Sequence, residues 1–153
     1  MKSVLSILFF LLLTNCSPSI DNNSKEFNNM LMKFNTSIPS DTHLYFLLPS
    51  FSCQGCTQQS FEKMAKYIIE NDKPYITIIF QKSFVGMNVL RNIPVFLFDA
   101  NNLLESLPFD VANLTIVKTK DNRILGIAYI NPENIDQLIN IELFNSIRIN
   151  KPK

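Results

Sequence analysis

Two cysteines three positions apart, in the segment Ser52-Cys53-Gln54-Gly55-Cys56, have the spacing in this chain best suited to covalent chemistry. They follow an apolar run, His43–Leu48, and precede an amphipathic stretch, Thr57–Glu70. Cysteines spaced this way at the start of a helix can bring their sulfurs within disulfide range. The unpaired N–H groups and positive dipole end of the helix stabilise a thiolate on the first of them. Cys53 is therefore the expected attacking sulfur, and Cys56, one turn further in, the resolving thiol. Zinc would require two more ligands, and the chain offers only His43 and Cys16, so no metal is expected. Haem attachment would require histidine after the second cysteine, where Thr57 stands, and no other cofactor is expected. A purely structural disulfide in an exported protein stays open as the alternative.

The remaining polar residues suggest less. His43 is the only histidine, and at the edge of a strand it reads as a surface or capping residue. Asp99, Asp110 and Asp121 are scattered and form no recognisable carboxylate pair, while Glu62 and Lys63 read as solvated helix positions. The 13 phenylalanines read as core filling in a chain without tryptophan.

The third cysteine belongs to the N-terminal segment. Lys2 precedes an apolar run from Val4 to Leu13, broken only by Ser6. The run is well short of the roughly 20 residues a bilayer-spanning helix needs, and it fits the apolar region of a secretory signal. It ends in Leu13-Thr14-Asn15-Cys16, which resembles the lipobox of bacterial lipoproteins, although Asn15 is larger than the usual small residue. The resemblance implies that residues 1–15 are removed and that Cys16 is lipid-modified. Cys16 as merely part of a cleaved signal is the competing reading. Residues 17–29, rich in Ser and Asn, read as a mobile tether within a 16–38 lead-in. The expected location is a bacterial cell envelope, lipid-anchored, facing the periplasm or exposed at the surface.

The chain has 153 residues, 46% of them hydrophobic and 18% charged, which suits one packed domain at 39–153 and excludes wholesale disorder. Only three glycines occur, so a glycine-rich phosphate loop is excluded. A net charge of +1 gives no basic surplus for nucleic acid, and none is expected as a partner. A monomer is expected.

The elements that would position the cysteines follow a regular order. His43–Leu48 and Tyr75–Gln81 are apolar, β-branched or aromatic runs and read as buried strands. Between them Phe61, Met64, Ala65 and Ile68 make a helical stripe. Met30 to Ile38 reads as a short helix or an irregular lead-in, and Phe84–Asn92 as a weak helix or loop. Pro94–Phe98 reads as a short strand and Asn101–Leu107 as one or two helical turns. Leu114–Thr119 and Ile124–Ile130 flank a hairpin turn centred on Asp121-Asn122. Asn131-Pro132-Glu133 opens a closing helix. The predicted class is α/β, a central mixed sheet flanked by helices.

Strand, Cys-x-x-Cys, helix, hairpin and closing helix together make residues 43 to 143 resemble the thioredoxin-like superfamily, in its exported, membrane-tethered form. That resemblance implies a thioredoxin-like sandwich and a thiol-disulfide oxidoreductase acting on protein thiol or disulfide clients. Cys53 would be the nucleophile and Cys56 its resolving partner, with Ser52, Gln54, Gly55 and Asn113 in the substrate groove. The chain departs from the family at three places. Ser52 stands where Trp is usual, and Gln54-Gly55 replaces Gly-Pro. Leu47 takes the place of a buried acidic residue. Asn113 takes that of a cis-proline; a non-proline cis bond costs roughly 2.5–4 kcal/mol, so a trans bond is expected there. A register based on Pro94 would restore the proline at the expense of an extra strand. These departures keep a second reading in play, a non-catalytic binding or scaffold lipoprotein with a structural disulfide.

Overall fold

A computed structural model describes residues 21–50, 58–59, 61–66, 75–81, 95–111, 114–130 and 133–134. Among the described residues it contains a mixed five-stranded sheet with few helices. The strands are β1 (His43–Leu48), β2 (Ile76–Phe80), β3 (Val95–Phe98), β4 (Leu114–Lys120) and β5 (Arg123–Ile130). Their order across the sheet is β3-β2-β1-β4-β5. β1, β2 and β3 run parallel, with Leu48 opposite Phe80 and Phe80 opposite Phe98. β4 returns antiparallel beside β1, with Leu47 opposite Thr115, and β5 folds back along β4.

The central strand is buried on both faces because its run of apolar residues supplies both. Leu44, Phe46 and Leu48 pack with Ile76, Ile78, Leu114, Ile116 and the second helix. That helix, at residues 58–59 and 61–66, contributes Phe61, Met64 and Ala65, the three described members of the stripe read from the sequence. Ile68 lies outside the described residues. On the opposite face Tyr45 and Leu47 pack with Ile79, Val117, Leu104 and the first helix.

That first helix, α1 (Asn22–Met32), corrects the reading of a mobile tether at residues 22–29; residues 17–20 of that tether lie outside the described residues. Asp21 caps it, accepting from the Ser24 N–H at 2.8 Å and the Ser24 hydroxyl at 2.9 Å. Phe27, Met30 and Leu31 recur at helical spacing and are buried, and Phe27 meets the Tyr45 ring edge-on at 5.1 Å. The Ser24 hydroxyl also accepts from the Ile124 N–H at 2.9 Å, joining α1 to β5. At the other end Asn35 takes a left-handed φ of 57° while the Thr36 N–H reaches the Leu31 carbonyl, a Schellman-type stop. The helix needs its partners: of its eleven residues four are Asn, a weak helix former.

The hairpin turn matches its sequence signal. Asp121 and Asn122 both have positive φ, 52° and 61°, as the primed turn between twisted strands requires. Leu103–Ser106 forms a 3-10 turn where a helical turn was expected. Residues 133–134 form a turn, and the other positions of the expected closing helix lie outside the described residues, as do residues 82–94.

Candidate functional site

β1, β2 and β3 all finish at one end of the sheet, and β4 begins there. Leu48, Phe80 and Phe98 stand side by side at that end, and Leu114 enters β4 on the strand adjoining β1. The chain thus leaves β1 toward Cys53 and Cys56, and enters β4 just after Asn113, on neighbouring strands. Ser52, Cys53, Gln54, Gly55, Cys56, Asn113 and Cys16 themselves lie outside the described residues. β3, which follows Pro94, is separated from β1 by β2.

Three strand ends are joined here by side-chain hydrogen bonds that the sequence did not signal. Gln81, next after β2, donates from Nε2 to Asp99 Oδ2 at 3.0 Å. Its Oε1 accepts from the Ser50 N–H, also at 3.0 Å. Asp99, next after β3, is buried and accepts in addition from the N–H groups of Leu103 and Leu104, at 2.8 and 2.9 Å. It serves the first turn of the 3-10 helix as a capping carboxylate, with three donors on its two oxygens. Main-chain bonds reinforce the junction: the Gln81 N–H donates to the Leu48 carbonyl and the Asp99 N–H to the Phe80 carbonyl. Asp99 read as one of several scattered carboxylates, and only the parallel pairing of β2 with β3 brings it to Gln81.

Leu47 is fully buried among apolar side chains. Phe80 and Phe98 give this end an aromatic border, their ring centroids 5.3 Å apart, with Phe98 exposed.

His43 is at the other end of β1, five residues and about 16 Å along the strand from Leu48. The expected surface residue is in fact half-buried. Its Nε2 lies 2.8 Å from the Thr77 hydroxyl, and its ring packs against Tyr45 at 4.7 Å. Burial lowers its pKa to about 4, leaving the ring neutral at ordinary pH. The same cause pushes the Tyr45 phenol above its usual range. A cleft bordered by Lys25, Asn28, Asn29, Ile38 and Asn122 lies beside α1 and the hairpin turn, at that same remote end.

Among the described residues no group of three His, Cys, Asp or Glu side chains is placed to hold a metal ion. Among them, too, no helix is long and apolar enough to cross a membrane. Compared with known protein families and with curated protein sequences, the chain has no match.

Proposed function

We propose that the chain is an envelope-anchored thiol-disulfide oxidoreductase of thioredoxin-like fold, working through Cys53 and Cys56. The observation that carries this reading is the sheet order around β1. β2 lies parallel on one side after a helical crossover, and β4 and β5 lie antiparallel on the other. A mixed sheet of this order supports the sandwich that the sequence resemblance implies, in which the cysteine segment follows β1 in the chain. It also favours Asn113 over a Pro94-based register, because β4 adjoins β1 and β3 does not.

In the proposed reaction the Cys53 thiolate attacks one sulfur of a client disulfide. A Cys53–client bond forms, the client S–S bond breaks, and the other client sulfur departs as a thiolate. Cys56 then attacks the Cys53 sulfur, releasing the second client thiol and leaving a Cys53–Cys56 disulfide. Two electrons pass from the dithiol to the client. As the Cys56 sulfur attacks, its thiol proton passes to solvent. Ser52, Gln54, Gly55 and Asn113 would border the client in its groove. Lipid on Cys16 would hold the domain at the membrane, facing protein clients of the envelope.

The buried Leu47 is also the observation that favours the second reading, a thioredoxin-fold scaffold with a structural disulfide. Redox titration of the purified full chain against glutathione separates the two. The oxidoreductase reading expects a reversible two-electron transition within the range of roughly −270 to −120 mV spanned by such proteins. A disulfide that resists reduction throughout that range would favour the scaffold.

A further inference from the structure

At the hairpin end of the sheet three separate segments meet around a cleft of about 270 Å³. α1 lends it Lys25, Asn28 and Asn29, the stretch before β1 lends Ser37 and Ile38, and the hairpin turn lends Asn122. Sites for drug-sized ligands run from about 300 to 1,000 Å³, so this one suits a smaller molecule. Its walls are tied together by hydrogen bonds. The N–H groups of Asp121 and Asn122 donate to the carbonyls of Ser40 and Pro39, and the Ile124 N–H donates to the Ser24 hydroxyl of α1. Those bonds leave a particular set of polar atoms unused. Asn28 Oδ1 accepts from the Ile38 N–H at 2.9 Å, which fixes the amide and leaves the Nδ2 hydrogens without an acceptor among the described residues. The Lys25 ammonium has no carboxylate partner among them either. The nearby acids of α1 are engaged elsewhere, Asp21 with Ser24 and Glu26 with Asn29, and neither borders the cleft.

We propose that this cleft binds the phosphate of a small phosphorylated ligand through Lys25 and Asn28. The chemistry of the border selects an anion, because it offers one ammonium and one directed amide donor with no carboxylate to balance them. A phosphate monoester brings strong acceptor oxygens for several donors at once, and the exposed Ser37 hydroxyl supplies a third donor. Ile38 and the carbon stem of Lys25 give the body of the ligand an apolar side to lie against. Such a phosphate belongs equally to a soluble metabolite and to a lipid headgroup. The site is independent of Cys53 and Cys56 and goes beyond the redox reading, which neither supports it nor depends on it.

The test is an NMR titration of the isotope-labelled full chain with glycerol 3-phosphate, and with glycerol as the same body lacking the anion. The amide signals of Lys25, Asn28 and Ile38 are expected to shift and saturate with glycerol 3-phosphate and to stay in place with glycerol. Lys25→Gln should weaken binding about fivefold, the loss of one charge-assisted bond in a solvent-screened setting. Asn28→Asp is the sharper variant. It keeps an oxygen for the Ile38 N–H, so thermal unfolding should stay close to wild type. It replaces the amide donor with a charged acceptor, so binding should vanish. If Asn28→Asp fails to fold, Lys25→Gln carries the test, its side chain being exposed. Dihexanoyl phosphatidic acid, kept below its micelle concentration, separates the two sources of phosphate. Tighter binding than glycerol 3-phosphate assigns the site to a lipid headgroup, weaker binding assigns it to a soluble ligand, and either supports it. No saturable shift with either phosphate, equal shifts with glycerol, or full binding by Asn28→Asp or by Lys25→Gln overturns it.

Discussion

At the scale of single residues, His43 shows how burial changes the meaning of a side chain. A folded pKa of about 4 against an unfolded value of 6.5 means that the unfolded chain binds more protons between those limits. Stability from the neutral ring is then fully present above about pH 6.5 and is lost as pH falls toward 4. Part of the ring meets solvent, so the contribution is expected to be on the order of 1–2 kcal/mol. His43→Gln keeps an amide that can bond Thr77 and removes the titration. Thermal unfolding at pH 7 and pH 4.5 should show a smaller acid loss in His43→Gln than in wild type; equal losses would place the acid sensitivity elsewhere. The cysteine pair was legible in the sequence because its meaning lies in local spacing. Gln81, Asp99 and His43 were not, because their partners, Ser50, Gln81 and Thr77, are gathered by folding. No run of residues announces a hydrogen bond across two parallel strands.

At the scale of elements, runs of β-branched and aromatic residues marked β1, β2, β4 and β5 to within a residue or two, and Asp121-Asn122 marked the turn between the last two. Such runs reveal strands because a buried strand needs apolar side chains along its length. α1 escaped because its Asn-rich composition resembles a linker and its propensity is poor. Its signal was the Asp21–Ser24 cap together with the Phe27, Met30 and Leu31 stripe. Since tertiary contacts hold this helix, its buried face should matter more than its cap. Phe27→Ala, which empties a fully buried site against Tyr45 and Phe109, is expected to cost about 3–5 kcal/mol. Asp21→Ala should cost about 1 kcal/mol. Urea denaturation of both variants checks the ranking. A near-neutral Phe27→Ala would return residues 21–32 to the role of a tether.

At the scale of the whole molecule, the burial of α1 shortens the link between the proposed anchor and the domain. Only four residues lie between Cys16 and the Asp21 cap, so a lipid on Cys16 would keep the helix start within about 18 Å of the anchored residue. The start of α1 is bonded through Ser24 and Ile124 to the hairpin end of the sheet, so the anchor would tether the end opposite to the one where β1 finishes. Cys16→Ala should move the protein from the membrane fraction to the soluble one, while leaving the redox titration of Cys53 and Cys56 unchanged. A variant that still fractionates with membranes would place the anchor elsewhere.

The central claim is that Cys53 and Cys56 act in sequence, one attacking and the other resolving. Trapping tests it most directly. Wild-type protein, Cys56→Ala and Cys53→Ala are reduced, mixed with oxidised glutathione and examined by peptide mass spectrometry. Cys56→Ala should keep a stable mixed disulfide on Cys53, since nothing remains to displace the glutathione. Wild type should shed that adduct and finish as the internal disulfide, and Cys53→Ala should react far more slowly at Cys56. An adduct that persists equally on wild type and Cys56→Ala, or one that forms faster on Cys56 than on Cys53, would contradict the account.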